Sequence, residues 1–204
     1  MAPKFRLILI LSGIFLSYLI VTGIYSARYD IAVIFSSTKE EVVTEHDEFI
    51  LKLKQDLNIS HPIIVFINNK YSWPPSFEPV TTEEKINNRI CEKIQYFKLT
   101  MRTSFYKRLT PNERLAVIAH EVNHTSDFLK FSCFNDMPEN ISESEMTKIQ
   151  IAADNTAAKY TDPQTVKNAL EKWSGKFPFS SPKSREEIER IENLDRLIEK
   201  SRTD

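Results

Sequence analysis

Residues 120–124 read His-Glu-Val-Asn-His. On a helix, positions i and i+4 stand one above the other on the same face, so His120 and His124 reach toward a common point. Two imidazole nitrogens at about 2.0–2.1 Å are ordinary ligands of Zn2+. Glu121 follows the first of them and is rotated off the line of the two rings, where its carboxylate can hold a water. Zinc lowers the pKa of a water it binds from about 15.7 towards about 7. The carboxylate can then accept a proton as the water attacks a carbonyl, and pass it to a leaving amine. The chemistry expected is peptide-bond hydrolysis, with Glu121 as general base.

Such a site needs a buried, well-started helix. Thr110-Pro111-Asn112-Glu113 supplies an N-cap hydroxyl, Pro at the first helical position and Glu at the third. The apolar run Leu-Ala-Val-Ile-Ala then leads straight into His120. Two histidines leave zinc one protein ligand short, and that ligand should come from a later helix that passes the first. The segment 148–158 is the candidate. Gln150 and Asp154 fall four apart on one face, and Ala152, Ala153, Ala157 and Ala158 permit close approach of two helices.

Around these elements the chain alternates short strands with helices. Ser37 with Glu40 and Thr38 with Glu41 predict capping boxes for a helix over about 39–57, with Val42, Phe49, Ile50, Leu53 and Leu57 as its buried stripe. Residues 63–67 form a β-branched run and read as a buried strand. A loop with Trp73, Pro74, Pro75 and Pro79 follows. Residues 94–99 read as a second strand that pairs with a segment near Ile90. Helices are expected at about 104–109, 142–160, 163–173 and 185–200. The last is amphipathic, with Ile188, Ile191, Leu194 and Leu197 on its apolar side and the pair Glu186/Arg190 on its polar side. His46 and His61 are isolated and expected on the surface or in loops.

The 204 residues carry 27 Lys and Arg against 28 Asp and Glu, which excludes a sequence-independent nucleic-acid binder. With only 3 Gly, there is no glycine-rich phosphate loop. The 2 cysteines, Cys91 and Cys133, exclude a disulfide scaffold and leave both a single pair and two free thiols open. From Leu7 to Ala27 the chain has no charged residue. As a helix that run spans about 30 Å, the thickness of a bilayer core, and residues 1–27 read as an uncleaved single-pass anchor, with a cleaved signal sequence as the alternative. Lys4 and Arg6 precede the apolar run, so the N-terminus is expected in the cytoplasm and residues 28–204 outside it.

The stretch from Leu109 to His124 resembles the active-site helix of the membrane-bound zinc metallopeptidases of the HtpX and CAAX prenyl protease family. Ala152-Ala-Asp-Asn-Thr-Ala-Ala-Lys-Tyr160, with Asp162-Pro163 and the segment ending at Trp173, is similar to that family's second signature. The resemblance covers about residues 94–173. It implies a gluzincin-type domain: α+β and zincin-like, mainly helical with a small β-sheet, beside the one N-terminal transmembrane helix. It also implies zinc as cofactor, a protein or peptide substrate, and Asp154 orienting a zinc-bound histidine.

Two positions depart from the pattern. The third ligand, four before Asp154, is Gln150 where the family has Glu. An amide oxygen can bind zinc but brings no charge. Glu145, Glu143 and Asp154 itself stay open as alternatives, and so does a catalytically inactive module that keeps the fold and binds partners. After Trp173, Ser181-Pro182 stands where the family often has His-Pro, and Arg190 lies further along than the family's Arg. Arg185, Arg190 and Tyr160 are the remaining candidates for stabilising an oxyanion. Many-span relatives enclose their site in the membrane, whereas a chain with one span should open it to an aqueous compartment.

Overall fold

The computed structural model describes residues 40–69, 75–86, 89–138, 140–174 and 184–203. The expected anchor at 7–27 and the hydroxyls of Ser37 and Thr38 lie outside the described residues, as do Trp73 and Pro74. Among the described residues no helix is long and apolar enough to cross a membrane. The elements below belong to one unit formed by Glu40–Asn68 and Ser72–Asp204. It is α+β, with a mixed sheet against a larger helical layer.

Four strands make the sheet: β1 (Glu41–Val43), β2 (Ile63–Asn68), β3 (Ser76–Ile86) and β4 (Arg89–Arg102), in the order β1-β2-β4-β3. β2 runs parallel to β4 with Val65 opposite Leu99, while β1 and β3 pair antiparallel on either side. The strand expected at 94–99 is therefore longer. The segment near Ile90 is part of it, and its antiparallel partner is 76–86 instead. Pro79, placed in a loop by its type, lies within β3. That strand is at the sheet edge, where a missing N–H breaks no ladder.

The first helix, α1 (Asp47–Asp56), begins later than the pattern predicts. Residues 41–43 pair with β2 instead, which leaves Val42 on a strand and 52% exposed. Ile50 and Leu53 are buried as expected. His46, expected at the surface, is buried and meets the Tyr106 hydroxyl at 2.7 Å. Short helices α2 (Thr103–Tyr106) and α4 (Thr125–Phe128) flank α3 (Pro111–Asn123). The others are α5 (Glu143–Tyr160), α6 (Pro163–Ser174) and α7 (Arg185–Thr203).

Helix α3 starts as its residues dictate. Thr110 Oγ1 accepts from the Glu113 amide and Glu113 Oε2 accepts from the Thr110 amide at 2.7 Å. Its buried residues are Glu113 and the run from Ala116 to Val122, and it packs against α5 and α6. Val117, Ile118 and Val122 share one core with Val65, Phe97, Leu99 and Met101 of the sheet. Ala153 and Ala157 of α5 are fully buried, in keeping with their part in close helix approach.

A disulfide joins Cys91 to Cys133. It ties β4 to the segment that leads into α5, with help from Glu92 N–H donating to Asn135 Oδ1 at 2.7 Å.

Glu113 has a second role. Lys172 of α6 donates to both its oxygens, at 2.7 and 2.6 Å. Burial alone would raise this carboxyl, but Lys172 and the Thr110 amide outweigh it and hold it below its ordinary range. A carboxyl held low in the folded state adds stability above its unfolded pKa, about 4.3, and loses it as the pH falls through the folded value. Glu113→Gln should therefore cost about 1–2 kcal/mol at pH 7. Urea unfolding should show the gap to the parent closing steadily at acid pH. A gap that persists there would disprove the linkage.

Candidate metal centre

Helices α3 and α5 cross so that the predicted residues meet. His120 and His124 present their Nε2 atoms to each other at 3.3 Å, with ring centroids 5.0 Å apart. Gln150 Oε1 lies 2.9 Å from His120 Nε2. His120 Nδ1 lies 2.8 Å from Asp154 Oδ1, and His124 Nδ1 lies 3.5 Å from Asp127 Oδ2. Thr156 Oγ1 donates to Asn123 Oδ1 at 2.8 Å and pins α5 to the end of α3.

The alternatives for a third donor fall elsewhere. Glu145 is exposed and lines a separate depression with Asn123, Ser126 and Lys148. Glu143 is exposed in the first turn of α5. Asp154 is turned to the far side of the His120 ring and holds Nδ1. Among the described residues, no three His, Cys, Asp or Glu side chains form a metal-holding group. The oxygen at the meeting point is that of the Gln150 amide.

Protonation follows from these partners. An ionised Asp154 only accepts, so it takes a hydrogen bond from His120 Nδ1–H and leaves Nε2 facing Gln150 and His124. Burial raises the Asp154 carboxyl, but Arg190 and His120 outweigh it and keep it low. Burial, and then His120 beside it, push His124 down to about 4, so its ring is neutral at pH 7. Glu121 is 5% exposed, and burial lifts it to about 7.

The residues fit a zinc ion on these grounds. His120 Nε2, His124 Nε2 and the Gln150 amide oxygen face one another, and each can offer a lone pair. Such a donor set is satisfied by a cation. Two ligand atoms about 2.05 Å from a tetrahedral ion lie about 3.3 Å apart, which the two Nε2 atoms match, while Gln150 Oε1 stands closer, at 2.9 Å from His120 Nε2.

The centre lines a cleft of about 580 Å³. Phe77 of β3, Phe128 of α4, and Met146 and Ile149 of α5 give it an apolar lining, and Trp173, Glu186 and Arg190 line it too. Of the oxyanion candidates, only Arg190 reaches it. The Tyr160 hydroxyl donates to Asp56 at 2.9 Å, and the Arg185 side chain is 84% exposed and bound to Glu189.

Sequence pattern misplaced one of these residues and missed another. Arg190, paired with Glu186 on the supposed polar side of α7, is 5% exposed and donates twice to Asp154. Ile188, expected on the apolar side, is 45% exposed. Asp127 was readable: it stands three residues after His124, within reach along one helical face.

No protein-family model, curated protein or solved structure matches this chain.

Proposed function

We propose that this chain is a zinc-dependent endopeptidase of zincin-like architecture, anchored by its N-terminal apolar run with the catalytic body outside the cytoplasm. The observation that carries this reading is the convergence of His120 Nε2, His124 Nε2 and Gln150 Oε1 beside the buried Glu121. The Cys91–Cys133 disulfide supports an oxidising compartment.

His120, His124 and Gln150 would hold the metal. Bound there, zinc supplies Lewis acidity toward a carbonyl oxygen and lowers the pKa of water. Glu121, lifted by burial to about 7, sits where a group can both take a proton and return it. Its carboxylate takes the proton of the attacking water and delivers it to the departing amine nitrogen. Asp154 holds the His120 ring by Nδ1 and thereby aims Nε2. Phe77, Phe128, Met146 and Ile149 cover a bulky apolar side chain of an extended polypeptide and keep bulk water from it.

A second reading, a metal-free binding module, is favoured by Gln150. Turned about its last bond, the same amide donates to His120 Nε2 and closes the network without an ion.

Elemental analysis of the full chain in detergent micelles, with peptide hydrolysis measured on the same sample, tests both. About one zinc per chain is expected, with hydrolysis lost on chelation and regained on adding zinc. A chain that holds no zinc at saturating supply and cleaves nothing is the binding module.

A further inference from the structure

Helix α7 reads as an accessory that packs on the body, yet it delivers the only guanidinium among the described residues that line the cleft. Arg190 Nε donates to Asp154 Oδ2 at 2.8 Å and Nη2 donates to Asp154 Oδ1 at 2.9 Å. The same Oδ1 meets His120 Nδ1 at 2.8 Å. Both partners are almost wholly buried, Arg190 at 5% and Asp154 at 1% exposure. Trp173 packs beside the chain, its ring 6.0 Å from the His120 ring and 6.0 Å from the guanidinium.

We infer that Arg190 is a positioning residue of the metal centre, acting through Asp154 on the direction of the His120 Nε2 lone pair. This rests on the zinc reading above. A carboxylate held by one imidazole N–H pivots about its terminal torsion, which is soft. The planar fork of an arginine occupies both oxygens at once and removes that freedom. Lysine, a point charge with no fixed plane, cannot do the same. Three of the five N–H groups of the guanidinium are committed to carboxylates, the third to Glu186 at 3.4 Å. Arg190 thus serves the metal ligand through Asp154, and α7 is part of the centre.

The test is a double-mutant cycle on the full chain in detergent micelles. Arg190→Met and Arg190→Lys are made alone and with Asp154→Asn. Zinc affinity is read by competition with a chromophoric chelator, and the His120 Nδ1 proton by NMR. In the parent background Arg190→Met should weaken zinc about 10- to 100-fold, and Arg190→Lys should recover only part of that. In the Asp154→Asn background the same change should move affinity by less than about twofold. The Nδ1 proton signal should be sharp in the parent and lost to exchange in Arg190→Met.

Equal losses in both backgrounds would overturn the inference, because Arg190 would then act without Asp154. Unchanged affinity with a retained Nδ1 signal would overturn it too. If Arg190→Met does not fold, Arg190→Lys and the Asp154→Asn pair, which buries no lone carboxylate, decide the matter. If the parent binds no zinc, the peptidase reading fails by itself, and the Nδ1 signal still judges the Arg190–Asp154–His120 chain.

Discussion

Glu121→Gln is expected to lower kcat/KM for peptide hydrolysis by about a hundred- to ten-thousand-fold while zinc content stays unchanged. The substitution keeps the shape of a side chain that is 5% exposed and leaves His120, His124 and Gln150 untouched. It removes one capacity, that of accepting a proton. Burial already raises the Glu121 carboxyl to about 7, so a neutral amide in its place should fold at least as well at neutral pH. Unfolding by urea, zinc content and hydrolysis measured together separate the cases. Lost activity with intact folding and zinc assigns the proton transfer to Glu121. Activity kept within a few-fold would show that another group accepts the proton, and the proposed mechanism would fall.

Much of this centre was legible because it is local. The i, i+4 imidazoles and the Thr110–Glu113 capping box depend on residues within one or two turns, and the structure has both in their expected places. The pairing of Gln150 with Asp154 on one face of α5 follows from the same periodicity. What local pattern could not supply was the partner across space. Glu186 and Arg190 have the spacing of an exposed helical pair, and only the packing of α7 on α5 reveals that the guanidinium turns inward.

The same holds at the other end of the chain. Glu40 and Glu41 look like capping partners of hydroxyls before them. Yet Glu41–Val43 pairs with β2, and the helix waits until Asp47. His46 gave no sequence signal of burial, since its partner Tyr106 is 60 residues away. Pro79 argues against a strand unless the strand is known to lie at an edge, which is a property of the whole sheet. Errors therefore collected where a long-range contact overrode a local preference.

Gln150→Glu should tighten zinc by about tenfold or more, equivalent to about 1.4 kcal/mol. Glutamate has the same length and shape, so its oxygen can take the place of Oε1, 2.9 Å from His120 Nε2. It adds a full negative charge at a point where two neutral imidazoles and an amide otherwise face a dication. Without metal, that charge enters a half-buried site near Glu121 and Asp154, with Arg190 already committed to Asp154. Like charges and lost hydration then oppose it, so the metal-free variant should melt lower than the parent. Zinc should reverse the order, because binding to the folded state alone adds stability in proportion to affinity. Thermal unfolding with and without zinc reads both effects in one experiment. A wider zinc-induced rise in Tm, with hydrolysis rising alongside occupancy, identifies the native centre as a weakened peptidase site. A variant whose affinity matches the parent would place Gln150 outside the coordination sphere. The two imidazoles would then have to find their third partner elsewhere.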